Sequence, residues 1–260
     1  MRTGRDDAGR TPKDVVLLTA TVVAPVDVRN LARRDTGLRL ADYLEAFDFY
    51  LAELARGSFD ALVLCDNSAF DLAPFAARAR AAGLAERVEL ISYFGLDHAS
   101  SCGRGYGEFK LVDHAMQVSA LIAAAGDDVR VWKVTGRYKV RNIGRLVATQ
   151  PNDADLYCHC RNRPLPWLDM YLMRWNRRAY DEIIRGVYRQ LEQDETPTSA
   201  EQLFRRVLEG RRWSSRIVRR LRHVAAIEGI RGGDNVAYGS MRRKYLLRVV
   251  AQRVLPWVWI

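Results

Sequence analysis

The stretch Val129-Arg130-Val131-Trp132-Lys133-Val134-Thr135-Gly136-Arg137-Tyr138 decides how this chain is read. Its first six residues are rich in β-branched and aromatic side chains, which suits a buried strand. Its last four change abruptly to a hydroxyl, a glycine and a cation. A strand that ends this way presents polar groups where open α/β sheets receive their ligands.

Upstream, Val15–Val23 reads as a first buried strand closed by Pro25, and Leu38–Leu54 carries apolar residues at helical spacing. Ala61–Cys65 is a second strand, ending in Asp66-Asn67-Ser68, and residues 73–82 form an Ala/Arg helix stopped by Gly83. Val88–Tyr93 is a third strand leading into a Gly-rich loop at 100–107, and Glu108–Ala125 is expected to be helical. Strand and helix alternating over short connections predict a mostly parallel sheet with helices on both faces. Three polar clusters then fall at strand ends: Asp66-Asn67-Ser68, Gly103–Lys110 and Thr135-Gly136-Arg137.

Downstream, a strand is expected over Asp155–Cys160, a helix over Leu168–Glu192, a linker over Gln193–Ser199, a basic helix over Ala200–Ile227 and a last basic amphipathic helix after Gly239. The expected organisation is a disordered tail at 1–13, a catalytic domain at 14–192 and a basic helical region at 193–260 packed on it. Residues 201–260 hold fourteen Arg and Lys against four Asp and Glu, so they carry the whole net charge of +10. Their arginines interleave with Leu246, Leu247, Val249, Val250, Val254 and Leu255, and with Trp213, Trp257 and Trp259. That pattern suits an anionic membrane surface or a solvated basic helix docked on the domain. Nucleic-acid binding is not expected, because no nucleic-acid motif accompanies the arginines.

The polar N-terminus lacks an apolar leader core, and no apolar run is long enough to span a bilayer. Cys65, Cys102, Cys158 and Cys160 are therefore read as reduced thiols of a cytoplasmic protein, peripheral at most on the inner face of the plasma membrane. Cys158 and Cys160 alternate along a strand and are read as core residues, since a zinc site needs about four ligands.

Glycines in Gly103-Arg104-Gly105-Tyr106-Gly107-Glu108 could let backbone approach a diphosphate at a helix N-terminus, or simply form a βα loop. Glu108 suits that helix start electrostatically as well as chemically. Lys133, Thr135 and Arg137, extended by Lys139, Arg141 and Asn142, would meet phosphate oxygens. Asp153-Ala154-Asp155 has the spacing of a carboxylate chelate but precedes a strand, so Asp153 and Asp155 are weak metal candidates. Asp169 is either a helix cap or a general base, and Asp234 is its rival on a Gly-rich loop.

Together, Asp66-Asn67-Ser68, Gly105-Tyr106-Gly107-Glu108, Lys133-Val134-Thr135-Gly136-Arg137-Tyr138 and Asn142 resemble the GT-A-like (Rossmann-like) glycosyltransferases of bacterial capsule and O-antigen synthesis. The resemblance covers residues 15 to about 190. It implies a sugar moved from a nucleotide diphosphate sugar to a polysaccharide or lipid-linked acceptor. It also implies donor contacts from Pro25, Asp66, Asn67, Ser68, Gly105, Gly107, Lys110, Lys133, Thr135, Gly136, Arg137 and Asn142. Asp169, Asp234 and Glu108 are the candidate catalytic carboxylates. GT-A enzymes ordinarily place an Asp-x-Asp metal site where this chain has Thr135-Gly136-Arg137. The resemblance commits the chain to no cofactor, with Mg²⁺ or Mn²⁺ as candidates, and its cations are expected to take over the metal's charge. A non-catalytic basic protein that binds membrane or nucleic acid and another Rossmann-like transferase stand as alternatives. A methyltransferase would need its Gly-rich loop after the first strand, where Thr19–Pro25 has no glycine.

Overall fold

A computed structural model describes residues 13–25, 31–193, 198–237 and 242–254. The expected tail at 1–13 (save Lys13), most of the expected linker, and Trp257 and Trp259 lie outside the described residues.

The elements are β1 (Asp14–Ala20), α1 (Thr36–Ala55), β2 (Ala61–Asp66), α2 (Ala73–Ala81), β3 (Val88–Ser92), α3 (Gly103–Val118), α4 (Ala120–Ala124), β4 (Arg130–Thr135), β5 (Lys139–Val140), α5 (Ile143–Ala148), β6 (Leu156–Tyr157), β7 (Cys160–Arg161), β8 (Trp167–Leu168), β9 (Leu172–Trp175), α6 (Arg177–Ala179), α7 (Ala200–Glu209), β10 (Ile217–Val218), β11 (Ile227–Glu228) and α8 (Arg242–Val254). Seven strands form one sheet in the order β10-β6-β9-β4-β1-β2-β3. β4, β1, β2 and β3 run parallel, and β9 is antiparallel to both β4 and β6. This is an α/β fold with a mixed, mostly parallel sheet flanked by helices.

Side chains alternate along β1 and divide the core in two. Val15 and Leu17 face α3 and α7, packing with Phe109, Val112, Phe204 and Leu208. Val16, Leu18 and Ala20 face α1, α2 and α5, packing with Phe47, Phe75 and Leu146. Phe109 and Phe204 meet edge to face at 5.1 Å and join α3 to α7. Each such fully buried side chain contributes roughly 1.5–3 kcal/mol.

Several expected elements are corrected. The helix expected from Leu168 to Glu192 is instead β8, β9, the short turn α6 and two further helical turns. β9 lies inside the sheet with all four residues buried, and a run buried on both faces has no period that separates strand from helix. The basic helix expected over 200–227 stops at Glu209, before Gly210 and Ser214-Ser215, and its remainder contributes β10 to the sheet and β11 to a pairing with β5. The region after residue 193 therefore shares the sheet and the core. The expected strand over 155–160 shortens to β6 and β7, and Ser119 divides the expected helix over 108–125 into α3 and α4 by capping α4 through Ile122 N.

Candidate functional site

Parallel register brings the carboxyl ends of β1, β4 and β2 together. Thr19 pairs with Thr135, and Ala20 with Asp66. Gly136 follows β4, and its N–H donates to the Thr19 carbonyl at 2.9 Å. A Cβ there would sit 2.8 Å from that oxygen, so only glycine permits the approach.

Glu108 projects from the second turn of α3 into this edge. Its Oε1 accepts from Thr19 Oγ1 at 2.8 Å and Thr135 Oγ1 at 2.9 Å, and pairs with Lys133 Nζ at 2.6 Å. Oε2 has no partner among the described residues, and the side chain is 23% exposed. Burial raises the Glu108 pKa, but the Lys133 charge and the three donors outweigh it and hold the carboxyl below its ordinary value. Lys133 is fully buried; burial pulls its ammonium down against the opposing pull of Glu108. Its Nζ also donates to the Met170 carbonyl at 2.6 Å and to Thr135 Oγ1 at 3.3 Å. The edge thus carries one locked carboxylate with a single oxygen turned outward.

The expectation that Lys133 offers its charge to a ligand is corrected by that burial: its donors are spent on Glu108, Met170 and Thr135. Arg137 is the cation that remains beside it. Its guanidinium is buried over the rings of Tyr43 and Tyr138, each 5.8 Å from Cζ, and Nη1 donates to the Ile230 carbonyl at 3.2 Å.

The glycine stretch is corrected as well. Gly103, at φ +83°, opens α3 directly, so Gly105 and Gly107 lie inside the helix rather than in a loop. A Cβ on Gly105 would come within 2.2 Å of Ala200 Cβ, and one on Gly107 within 3.1 Å of His98 Nε2. These glycines serve close packing, with Gly105 seating α7 against α3. Lys110 pairs with Asp97 at 2.5 Å on the outer side of the helix.

Asp66 is fully buried, and its carboxylate knits the neighbouring loops. Oδ2 accepts from Val22 N at 2.7 Å, while Oδ1 accepts from Ser68 N and Oγ at 2.8 and 2.7 Å. Asn67 Oδ1 accepts from Thr21 Oγ1 at 2.6 Å, and Ser68 Oγ accepts from Val23 N at 3.0 Å. The Asp66-Asn67-Ser68 turn thereby fixes the 21–23 segment that leads to half-buried Pro25. A direct ribose contact from Asp66 is corrected to this positioning role. The Asn142 side chain is spent in the same way, donating to the Val224 carbonyl at 2.9 Å and accepting from Ala226 N at 2.8 Å.

Asp169 caps no helix. It lies between β8 and β9, next to the Met170 carbonyl that holds Lys133, and is buried. Arg161 Nη2 donates to its Oδ1 at 2.7 Å and Tyr171 OH to its Oδ2 at 3.1 Å. Asp234 is exposed on the 229–236 loop, paired with Arg231 at 3.0 Å and accepting from Val236 N at 3.2 Å.

Asp153 and Asp155 lie at the opposite, amino edge of the sheet, just before β6. Asp153 pairs with Arg216, while Asp155 accepts from Asn176 Nδ2 and Arg216 N, each at 2.7 Å. Among the described residues no group of three or more His, Cys, Asp or Glu could hold a metal ion. Asp153 and Asp155, paired with Arg216 and Asn176 at the amino edge, do not fit the Mg²⁺ or Mn²⁺ site of the GT-A pattern. All four cysteines are buried and none is in a disulfide, with Cys158 and Cys160 in the core.

The sequence reading missed Thr19, Arg39, Tyr43, Arg104 and Glu201. Thr19 was findable, since a hydroxyl ending the first strand must lie level with one ending its parallel neighbour. Glu201 opens α7 and lies near enough to Glu108 for repulsion. Burial, then that repulsion, raises its carboxyl against the pull of exposed Arg104. Nothing local marks it, because its place depends on α7 docking at Gly105.

No family model matches the sequence, and no curated protein matches it. Among solved structures the chain is similar to a protein assigned as a nucleotide-diphospho-sugar transferase from Desulfovibrio desulfuricans G20, at 17% identity over 79% of this chain and 78% of that one, with a TM-score of 0.47. It is also similar to galactosyltransferase LGTC in complex with donor and acceptor sugar analogs, at 15% identity over 75% and 70% of the two chains, with a TM-score of 0.46. At these identities the likeness concerns fold alone.

Proposed function

We propose that this chain is a nucleotide-sugar-dependent glycosyltransferase that transfers a sugar from a nucleotide diphosphate sugar to a glycan or lipid-linked acceptor of bacterial surface polysaccharide synthesis. The observation that carries the reading is Glu108: three donors saturate one oxygen and leave the other turned outward at the sheet's carboxyl edge, with Arg137 alongside. Transfer from such a donor develops positive charge at the anomeric carbon and negative charge on the departing diphosphate. A carboxylate held ionised suits the first and a guanidinium the second. Glu201, whose carboxyl keeps its proton to higher pH than usual, suits proton exchange with the acceptor hydroxyl. Asp169 and Asp234 are weaker candidates for that base, because both oxygens of each are already engaged.

The test is a thermal-shift screen of UDP, GDP, CMP and dTDP and their sugars, with Mn²⁺ and with EDTA. A ligand bound only by the folded chain raises the midpoint. One nucleotide family is expected to raise it, and turnover of its sugar is expected to survive EDTA. No shift with any nucleotide overturns the reading, and strict metal dependence overturns its metal-free part.

A membrane-surface role for the C-terminal region has its own support. On α8, Leu246, Leu247, Val250 and Val254 are each more than half exposed along one stripe, in a segment whose sequence is strongly basic. The opposite side of α8 is held by Gln252, which donates to the Leu221 carbonyl at 2.6 Å. None of the described helices is long and apolar enough to cross a membrane. The chain should therefore float with anionic vesicles and stay behind with neutral ones.

A further inference from the structure

At the same sheet edge, on the α1 side, lie two buried guanidiniums that pair with no described carboxylate. Arg39, in the first turn of α1, is 3% exposed; its Nε donates to the carbonyls of Thr21 and Val22 at 3.0 and 3.1 Å, and its Nη1 to that of Arg33 at 3.0 Å. Its Nη2 donates to Tyr43 OH at 3.5 Å and to the Thr21 carbonyl, so Arg39 offers the site its charge, and the open donor is on Arg137. Arg137, two residues past the end of β4, is 8% exposed, and its Nε is buried without a partner. Both guanidiniums lie within 6 Å of the Tyr43 ring centroid, at 5.9 and 5.8 Å, and close enough to repel one another.

The surrounding charges do not neutralise them. Asp42 is committed to Arg33, bridging it at 2.8 and 3.0 Å. Asp66 is committed to Val22 N and Ser68. Neither aspartate comes within ion-pair distance of Arg39 or Arg137, and no other described carboxylate does. An unpaired buried charge is among the costliest features a fold can carry. Two side by side, one with an unused N–H, describe half of a site whose other half is negative. Arginine's planar fork matches phosphate oxygens in particular.

The backbone is arranged around the same pair. The 229–236 loop lies against Arg137, where a Cβ on Gly232 would come 2.6 Å from Nη2. The Gly232 carbonyl in turn accepts from Ala32 N at 2.9 Å and Arg33 N at 3.2 Å. One loop thus ties down both arginine-bearing segments, using a residue that leaves the guanidinium its space.

We propose that Arg39 and Arg137 form an anion site for a phosphate or diphosphate group, held by guanidinium charge without a metal ion. The site rests on the glycosyltransferase reading only where it names that group as the donor's diphosphate.

The test uses the full chain in EDTA with three probes: inorganic phosphate, inorganic pyrophosphate and the nucleotide sugar selected by the thermal-shift screen. Pyrophosphate should raise the melting midpoint of the wild-type chain, and Arg137→Gln should weaken its binding at least tenfold. Arg137→Lys keeps the charge but loses the fork, and should weaken it by an intermediate factor. Arg212→Gln, at an exposed arginine elsewhere on this basic chain, should leave it unchanged. Absence of any wild-type shift with phosphate or pyrophosphate overturns the site. So does equal loss in Arg212→Gln, which would mark binding to general positive charge. If Arg137→Gln does not fold, Arg137→Lys and the wild-type shift still decide. Pyrophosphate binding with no nucleotide-sugar binding leaves the anion site standing and removes the transferase reading. Nucleotide-sugar binding untouched in both Arg137 variants does the reverse.

Discussion

The two edges of the sheet each hold a buried polar network, and the networks are built differently. At the amino edge, Asp14 pairs with Arg130 and accepts from Trp132 Nε1 at 3.2 Å and Gln150 Nε2 at 2.8 Å. The Gln150 side-chain oxygen accepts from Arg174 Nε at 2.9 Å, and Arg174 also donates to the Ala154 carbonyl. Every charge there has a protein partner. At the carboxyl edge Glu108 keeps one oxygen and Arg137 one N–H without a partner among the described residues, while Arg39, like Arg174, gives its donors to neutral protein acceptors. A closed network needs nothing further, so it serves the fold. An open one is completed from outside, and that difference locates the candidate site better than any single residue does.

The largest effect should follow from breaking the one pair that belongs to both worlds. Glu108→Gln leaves Lys133 buried without its counter-charge, which costs about 3–5 kcal/mol. Adding Lys133→Met removes the stranded charge, so the double variant should recover most of that stability in urea unfolding while turnover stays lost. Recovery of turnover in the double variant would make the pair structural only. The wild-type dependence on pH has a definite sign. Because Glu108 has a folded pKa below its ordinary 4.5, its contribution is fully present above pH 4.5 and is lost as pH falls through the folded value.

The amino edge gives the contrasting case. Asp14→Ala strands Arg130 and removes an acceptor from Trp132 and Gln150. We expect a loss of about 3 kcal/mol, at the low end for a broken buried pair because Arg130 is partly exposed. Turnover per folded molecule should not change. A fall in kcat with retained stability would erase the distinction between the edges.

Much of this architecture was legible in the sequence, for a physical reason. The strands β1 to β4 are apolar runs with polar ends, and parallel packing forces those ends to one edge, so Thr135-Gly136-Arg137 and Asp66-Asn67-Ser68 declared their position. Individual roles were not legible, because they depend on which partner arrives. Lys133 reads as an available cation until Glu108 and the Met170 carbonyl reach it from two other elements. Gly105 and Gly107 read as a phosphate loop until the helix begins at Gly103 and α7 docks on it. Nothing in the sequence singles out Arg39 in α1, and only the fold shows its burial. β9 misled for a different reason: burial on both faces erased its period.

The α3–α7 junction sharpens the comparison from the packing side. Gly105→Ala would place a methyl 2.2 Å from Ala200 Cβ, so α7 must shift. Overpacking of this kind costs about 1–3 kcal/mol. Because α7 carries Glu201 toward the open edge, turnover should fall by more than the loss of folded protein explains. A loss of stability with unchanged kcat would mean that α7 only braces the core.

The smallest expected change concerns Glu201, and its sign separates the two kinds of network. Burial and the nearness of Glu108 raise its folded pKa above the ordinary value of 4.5. The folded chain therefore holds this proton more tightly than the unfolded one. Its contribution is complete below pH 4.5 and is lost as pH rises through the folded pKa. At neutral pH the ionised carboxylate works against folding, as expected of a group kept for chemistry and not for stability. Glu201→Gln should then raise the neutral-pH midpoint slightly, by less than about 1 kcal/mol in stability. It should also flatten the acid-side pH profile while lowering kcat more than it alters KM. A variant destabilised at pH 7 would mean that Glu201 is paired like the amino-edge charges, and the open edge would then be Glu108 and the two arginines alone.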